Sequence, residues 1–458
     1  LDDPADFQDE SIVVIGAGDA AIENAIALSQ YNEVFIVNRK NEFSRAKEGN
    51  LNAVLAAIND KSNRFYCRYE STVDSLELPA SPGEMGAIVL NTPSGEERIP
   101  CHRIIARLGT IPPRKFVESC GIEISGESPD AVPDVDGQYQ SNVPGLYIIG
   151  ALGGYPLIKQ AMNQGYDVIE YINGKDTKPA DYPLLQTQFS GLPYVMDAEE
   201  VLSLYQSRVA MFRRMNPLAF RELIIESRII VSLPAAEMAS APPPQERSTA
   251  FVPAGEPIYE HGEFSTSFYT IVEGEVEMQL EQDGPTHTLK AGRFFGEMSL
   301  ISGRPRQGSA VVGRDCILIE TPRRIMVKLM NSNEEVRGGI DRVFIMRALQ
   351  SAFRPNLELK ELAGIAERVE TCTFNAGDEL FHEGDSGDFL HLIRSGTVVL
   401  SRGSSDLIVA QLHSGELVGQ MALMGAPLRR DTARAAVRTE TVLVRKAEFL
   451  ALVNSQPD

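Results

Sequence analysis

The sequence predicts a multidomain chain: an α/β Rossmann-like domain followed by two β-rolls of jelly-roll-like type. Three observations predict it. The run Gly16-Ala17-Gly18-Asp19-Ala20-Ala21 stands between a short apolar run and a helix-patterned stretch. A glycine-punctuated segment occurs twice, 122 positions apart. The Ala/Pro-rich stretch AAEMASAPPPQERSTA (235–250) marks a linker, after which the texture changes to short alternating strands.

At 458 residues the chain is too long for one core. Its 43% hydrophobic and 23% charged content are ordinary for a globular protein. A net charge of −20 argues against nonspecific binding of nucleic acid or anionic membranes, both polyanions. Cys67, Cys101, Cys120, Cys316 and Cys372 are scattered, with no CxxC and no Cys/His cluster. No disulfide framework or metal site is expected, and a reduced, cytoplasmic setting fits. No apolar run reaches membrane-spanning length, and the acidic start is no signal peptide. The chain opens on Leu1 without a Met, so upstream residues are expected.

Five segments are expected: 1–125, an NAD(P)H-binding Rossmann-like domain; 126–180, ending in an amphipathic helix; 181–245, a connector and linker, largely helical over 195–232; and two rolls, 246–345 and 346–458. In the first segment, SIVVI (11–15) reads as a strand and 22–28 as a helix. Gly16 permits the tight turn, Gly18 lets backbone approach a pyrophosphate, and Ala21 allows close helix–strand packing. A second strand, EVFIV (33–37), ends in Asn38-Arg39-Lys40, followed by Arg45. With no acid for a ribose 2′-hydroxyl and several cations, NADP(H) is favoured over NAD(H). A solvated turn at Arg39 and Lys40 is the other reading. Gly16, Gly18, Asp19, Ala20, Ala21, Asn38, Arg39, Lys40 and Arg45 are the candidate NADPH-binding residues.

This stretch, with IIARLGTIPP (104–113), resembles the NADPH domain of thioredoxin-reductase-like flavoproteins, which are pyridine nucleotide-disulfide oxidoreductases. SNVPGLYIIGALGGYPLIKQAMNQGYDVIEYI (141–172) resembles the C-terminal FAD segment of that family, through Val143, Pro144, Gly145, Tyr147, Gly150, Lys159, Gln160, Ala161 and Gly165. The resemblance implies FAD contacts at Gly150, Ala151, Lys159, Gln160 and Ala161. Ala151 stands where the family has an Asp for the ribityl chain. The first FAD half and the redox CxxC are absent from this sequence, so FAD would need an upstream half. No catalytic residue can be assigned, and Cys67 reads as a core residue of a strand.

In the repeat, Gly255, Gly262 and Gly274 correspond to Gly377, Gly384 and Gly396, with spacings of seven and twelve in both copies. The first copy continues AGRFFGEMSLISGRPRQGSAVV. A short helix start exposes unpaired N–H groups to an anion, Arg306 would add a charged contact to a phosphate, and Glu297 could accept from a ribose hydroxyl. Glu297 pairing with Arg306 is the alternative. This resembles the phosphate cassette of the cyclic-nucleotide-binding family. Phe295, Gly296, Glu297, Met298, Ser299, Arg306, Gln307 and Ser309 are the candidate residues. The resemblance implies Glu297 on the ribose 2′-hydroxyl and Arg306 on the cyclic phosphate.

The second copy reads LVGQMALMGAPLRRDTARAAV. Gly419, Gln420, Met421, Ala422, Arg429, Arg430 and Thr432 are its candidates. Gln420 replaces the Glu, one residue is inserted after Pro427, and Arg429 lies three before Thr432 as Arg306 lies three before Ser309. Ligand binding and a degenerate packing role are both open for this copy. Gln307 and Arg430, where a Thr would favour cGMP in the family, lean the ligand toward cAMP. Helical stretches in 333–366 are where the family carries its ligand signal.

Two functions follow. One is a cyclic-nucleotide-regulated, NADPH-dependent flavin oxidoreductase with an unidentified electron-acceptor protein; the resemblance also implies a homodimer. The other is a non-catalytic cyclic-nucleotide sensor with a degenerate reductase half.

Overall fold

The computed structural model describes residues 4–447 except 41, 44–45, 61–62, 80, 82–83, 110–112, 125–130, 156–157, 176, 239–248, 280–285, 354–358, 367, 404–406 and 423–427. The chain divides into two compact units, Leu1–Thr110 with Val369–Asp458, and Ile111–Arg368.

The amino-terminal residues form a parallel sheet of β1 (Ser11–Ile15), β2 (Glu33–Val37), β3 (Phe65–Arg68) and β7 (Arg103–Ala106), in the order β3-β2-β1-β7. The alternation of β1 explains its two-sided burial. Ile12 and Val14 pack with Ala21, Ile22, Ala25 and Leu28 of α1 (Asp19–Ser29), and with Val54 of α2 (Glu48–Asn59). Val13 faces the other way, onto Ile88, Leu90 and Ile99. Those three come from an antiparallel meander of β4 (Thr72–Glu77), β5 (Gly86–Thr92) and β6 (Gly95–Cys101). An all-apolar strand flanked on both faces is what a parallel sheet requires. Burial pushes the Cys67 thiol on β3 up to about 12, so it is protonated at neutral pH.

The second unit begins with α3 (Arg114–Ser119), a tight turn at Gly150–Gly153 and α4 (Ile158–Ile172). Three connector helices follow: α5 (Tyr182–Phe189), α6 (Ala198–Arg208) and α7 (Pro217–Glu226). Asp197 and Glu200 form a reciprocal capping box on α6; Asn216 caps α7 just before Pro217. The expectation of helix through 232 is corrected here: α7 stops at Glu226, and Arg228–Leu233 is strand β8. The consecutive Ile229, Ile230 and Val231 are β-branched and favour the pleat over the helix. A short α8 (Ala235–Met238) comes next.

The first roll comprises β9 (Thr249–Pro253), β10 (Pro257–Tyr259), β11 (Phe268–Glu273), β12 (Glu275–Gln279), β13 (Thr286–Lys290), β14 (Phe294–Phe295), α9 (Glu297–Ser302), β15 (Ser309–Val312) and β16 (Ile317–Thr321). Its sheets run β14-β11-β16-β8-β9 and β10-β15-β12-β13. Helices α10 (Arg323–Ser332), α11 (Glu334–Phe353) and α12 (Leu359–Ala366) follow. One core joins connector, roll and helices, including Leu185, Tyr205, Phe220, Phe268, Leu300, Met326 and Ile340.

The second roll has β17 (Glu370–Phe374), β18 (Glu379–Phe381), β19 (Phe389–Ser395), β20 (Thr397–Arg402), β21 (Leu407–His413), β22 (Leu417–Val418), β23 (Thr432–Ala435) and β24 (Thr439–Arg445). Its sheets are β17-β24-β19-β22 and β18-β23-β20-β21. The repeat holds in the backbone: all six corresponding glycines have φ between 75° and 94°. The copies differ at one edge. β17 pairs with β24 directly, whereas in the first roll β8 pairs with β16 and pushes β9 outward into a parallel pairing. The connector is thus built into the first roll's sheet. Among the described residues no helix is long and apolar enough to cross a membrane, and no cluster of His, Cys, Asp or Glu could hold a metal ion.

Candidate functional site

In the first roll, β14 delivers Phe295 to Gly296, whose φ of 89° turns the chain into α9. A Cβ at Gly296 would come within 2.8 Å of both Arg306 Nη1 and the Ser267 carbonyl oxygen, so only glycine fits. Glu297, Ser299 and Leu300 are buried as α9 begins. The Met298 carbonyl accepts from Ser302 Oγ at 2.6 Å, and Gln307 is exposed.

Arg306 is 2% exposed. Its Nη2 donates to Ser265 Oγ and the Ser267 carbonyl, each at 2.8 Å, and Nη1 reaches the Gly296 carbonyl at 3.4 Å. The guanidinium lies 4.1 Å from the Tyr259 ring centroid. Among the described residues its Nε is buried without a partner. A guanidinium donor left over beside a glycine turn can take a further acceptor, such as an anion oxygen.

Glu297 does not pair with Arg306. Its fully buried carboxylate is held through both oxygens, at 2.8 and 2.7 Å, by Nη1 of Arg347 on α11. Arg347 Nη2 also donates to the Phe294 carbonyl at 3.3 Å. The sequence reading missed Arg347. No spacing in the sequence marks it; in the structure it stands three residues after buried Phe344 and seven after buried Ile340 on α11. Arg347→Ala would leave a buried carboxylate without its cation. The unfolding free energy of residues 111–368 should then drop by about 3 kcal/mol, partly recovered in the Glu297→Gln/Arg347→Ala double variant. Denaturant unfolding of the four proteins of this cycle measures it, and strictly additive effects would contradict it.

The second roll repeats the backbone contacts of the arginine, without the Ser265 hydroxyl, whose place is Gly387, and without the Glu297 carboxylate, whose place is Gln420. Arg429, 3% exposed, donates from Nη1 to the Gly419 carbonyl at 2.7 Å and from Nη2 to the Phe389 carbonyl. It lies 4.1 Å over the Phe381 ring, where Arg306 lies over Tyr259, and among the described residues its Nε is also buried without a partner. Gly262 N and Gly384 N donate to the Arg306 and Arg429 carbonyls, at 2.8 and 2.9 Å. Ser309 and Thr432 each accept from a backbone N–H, of His261 at 3.0 Å and Glu383 at 3.1 Å. Arg429 therefore occupies the place of Arg306, while Arg430 is exposed. Gln420 opens a 3-10 turn, Gln420–Ala422, and Met421 is exposed. Leu423 and Pro427 lie outside the described residues.

Beside Arg429, His391 takes the place Tyr269 has beside Arg306. Each pairs across its sheet with the residue before the cassette glycine, Val418 or Phe295. Burial, and secondarily the Arg429 charge, pulls the His391 pKa from 6.5 down to about 4. The unfolded chain therefore binds the proton first. The stability contributed by neutral His391 is complete above about pH 6.5 and is lost as pH falls from there toward 4, at about 1.4 kcal/mol per unit. The second roll should be about 2 kcal/mol less stable at pH 5 than at pH 7. His391→Tyr should flatten that slope, which unfolding curves at the two pH values test; an unchanged slope contradicts the assignment.

At the amino terminus, Gly16 has φ 134°, and a side chain there would strike the Arg107 carbonyl. Gly18 precedes α1 with none of the described residues within 4 Å of a Cβ position, and Ala20 is exposed beside it. The turn thus leaves an open cradle at a helix start. Asp19 Oδ1 accepts from Lys47 N at 2.8 Å and Asn50 Nδ2 at 2.9 Å. Asn38 is buried and structural: its Nδ2 donates to the Glu42 carbonyl and its Oδ1 accepts from Lys40 N. Arg39 and Lys40 are exposed. Arg45 lies outside the described residues. In the second unit, the Gly150 N–H donates to Gln164 Oε1 at 2.7 Å. Ala161 packs against Gly150, Ala151 and Lys159 are exposed, and Gln160 is half-buried.

Residues 250–333 and 371–456 match the family described as cyclic nucleotide-binding domain, and residues 3–165 match pyridine nucleotide-disulphide oxidoreductase. A cAMP-dependent protein kinase regulatory subunit from Eremothecium gossypii is 28% identical over 208 residues, 44% of this chain and 43% of the relative. One from Mucor circinelloides f. lusitanicus is 26% identical over 201 residues, 43% of this chain and 46% of the relative. The chain thus spans less than half the length of these two relatives. A solved cyclic nucleotide-binding-like protein from Brucella abortus is 28% identical with a TM-score of 0.22, covering 24% of this chain and 97% of that one. The chain therefore carries a pyridine nucleotide-disulphide oxidoreductase region at residues 3–165 and two cyclic nucleotide-binding domains behind it.

Proposed function

We propose that the chain is a cyclic-nucleotide-regulated, NADPH-dependent flavin oxidoreductase of thioredoxin-reductase-like type. The observation that carries the regulatory half is the buried Arg306 guanidinium with its orphaned Nε, set beside the ionic clasp of Glu297. In this reading the cyclic phosphate meets Arg306 and the α9 start, and Glu297 takes the ribose hydroxyl. Arg429 offers the same anion site in the second roll, where Gln420 makes a weaker, uncharged ribose contact. The relatives' name, and Gln307 and Arg430 at the positions after each arginine, favour cAMP.

NADP(H) would lie across Gly16 to Ala21, with its 2′-phosphate on Arg39, Lys40 and Arg45. The open Gly18 cradle and the exposed Arg39 fit it. When bound, it supplies a hydride. For FAD, the residues present fit only in part. Ala151 offers no side-chain acceptor, and the Gly150 N–H is already taken by Gln164. Gly150, Ala151, Lys159, Gln160 and Ala161 would form one wall of a flavin site needing further chain. The segments 1–125, 126–180, 181–245, 246–345 and 346–458 retain their roles in this reading.

Titration of the full chain with NADPH and NADH tests the redox half. NADPH should bind at least about tenfold tighter, a preference of about 1.4 kcal/mol, and cAMP should change the rate of NADPH oxidation when flavin is supplied. Equal affinity for the two nucleotides, or a rate indifferent to cAMP, would overturn it.

A further inference from the structure

Helix α10 leaves the first roll and makes two charged hydrogen bonds to carbonyl oxygens of different elements. At its first residue, Arg323 Nε donates to the Leu300 carbonyl of α9 at 2.7 Å. One and a half turns on, Lys328 Nζ donates to the Gly154 carbonyl at 2.7 Å. Gly154 ends the Gly150–Gly153 turn of the oxidoreductase region, in a left-handed conformation with φ 89°. That turn is closed by Gly154 N to the Ala151 carbonyl and Tyr155 N to the Gly150 carbonyl, at 3.2 and 2.9 Å.

The connector holds α10 in register with this turn. Lys328 also pairs with both carboxylate oxygens of Glu222 at 2.8 Å, and Arg324 pairs with Glu226. Two residues four apart on α7 meet two residues four apart on α10, so the helices run antiparallel and their contact resists sliding. At the start of α7, Asn216 Nδ2 donates to the Val135 carbonyl at 2.6 Å, tying the connector to the same segment. Leu300, Ile325, Met326, Leu329 and Met330 lie in one buried core, and close-packed side chains transmit displacement rather than absorb it.

We propose that Lys328 is a positioning residue through which occupancy of the first cyclic nucleotide-binding domain is read at the Gly150–Gly154 turn. The inference rests on the reading that a cyclic nucleotide binds at Arg306 and Glu297. A ligand there meets the α9 start. Any shift of α9 moves the Leu300 carbonyl, Arg323 follows it, α10 follows as a rigid helix, and Lys328 moves the Gly154 carbonyl. The coupling is reciprocal: what occupies the turn alters cyclic nucleotide affinity by the same factor. Lys328→Met removes the donor while keeping most of the aliphatic stem, and Lys328→Arg restores a cation. Arg323→Met cuts the other end of the connection.

Hydrogen exchange on the full chain, with and without saturating cAMP, reads the effect at the Gly154 and Tyr155 amides. In the unaltered protein cAMP should change their exchange rates by about fivefold or more. In Lys328→Met, and independently in Arg323→Met, the change should shrink below about twofold, and Lys328→Arg should regain it. Calorimetry on the same samples separates the layers. Binding of cAMP without any change at these amides, or an undiminished change in both Met variants, overturns the proposal alone. Absence of cAMP and cGMP binding to the unaltered chain overturns it together with the reading beneath it.

Discussion

Arg306→Glu is expected to raise the dissociation constant for cAMP at the first roll by about a hundredfold or more, the scale of losing a buried, hydrogen-bonded charge contact. The expectation follows from what surrounds the side chain. The guanidinium is buried, lies over Tyr259 and is fixed by the Ser265 hydroxyl and the Ser267 carbonyl, so it is positioned before any ligand arrives. Among the described residues its Nε has no partner, which leaves a donor for an acceptor on the ligand. A glutamate would aim an anion at the cyclic phosphate within the same cassette as the buried Glu297 carboxylate. Arg306→Lys should fall between the two, because an ammonium keeps the charge and loses the planar fork. Calorimetric titration of each variant measures this; an unchanged affinity in Arg306→Glu would remove Arg306 from the site.

Gly16→Val should abolish NADPH binding and cost the amino-terminal sheet about 3 kcal/mol or more. At φ 134° a β-branched residue is strained whatever the space, and here its Cβ would strike the Arg107 carbonyl at the end of β7. The damage falls where β1 turns into α1, so it displaces Ala21 and the helix start with it. Gly18→Ala is the contrasting control, since none of the described residues lies within 4 Å of its Cβ position. It should leave stability within about 1 kcal/mol while weakening NADPH binding. Denaturant midpoints and NADPH titration of both variants test the pair. A Gly16→Val protein as stable as the parent would contradict the turn's assigned role.

Much of this architecture was legible because its constraints are local. Glycines that must adopt positive φ recur at fixed spacing in both rolls, and the run from Ser11 to Ala21 contains its own strand, turn and helix start. The arginine of the second cassette was legible for the same reason, as its distance to Thr432 copies that from Arg306 to Ser309. What escaped the sequence is non-local. Arg347 lies fifty residues beyond Glu297 on another element, and no spacing rule joins them. The strand at Arg228–Leu233 was hidden by the helices before it; only its β-branched run marks the change. Lys328 meets a backbone carbonyl 174 positions away, and a carbonyl leaves no trace in residue identity.

Isothermal titration of the full chain with cAMP and cGMP tests the central claim most directly. Between one and two cyclic nucleotides should bind per chain, at least one of them lost in Arg306→Glu and none remaining when Arg429→Glu is added. A chain that takes up neither nucleotide would contradict the account.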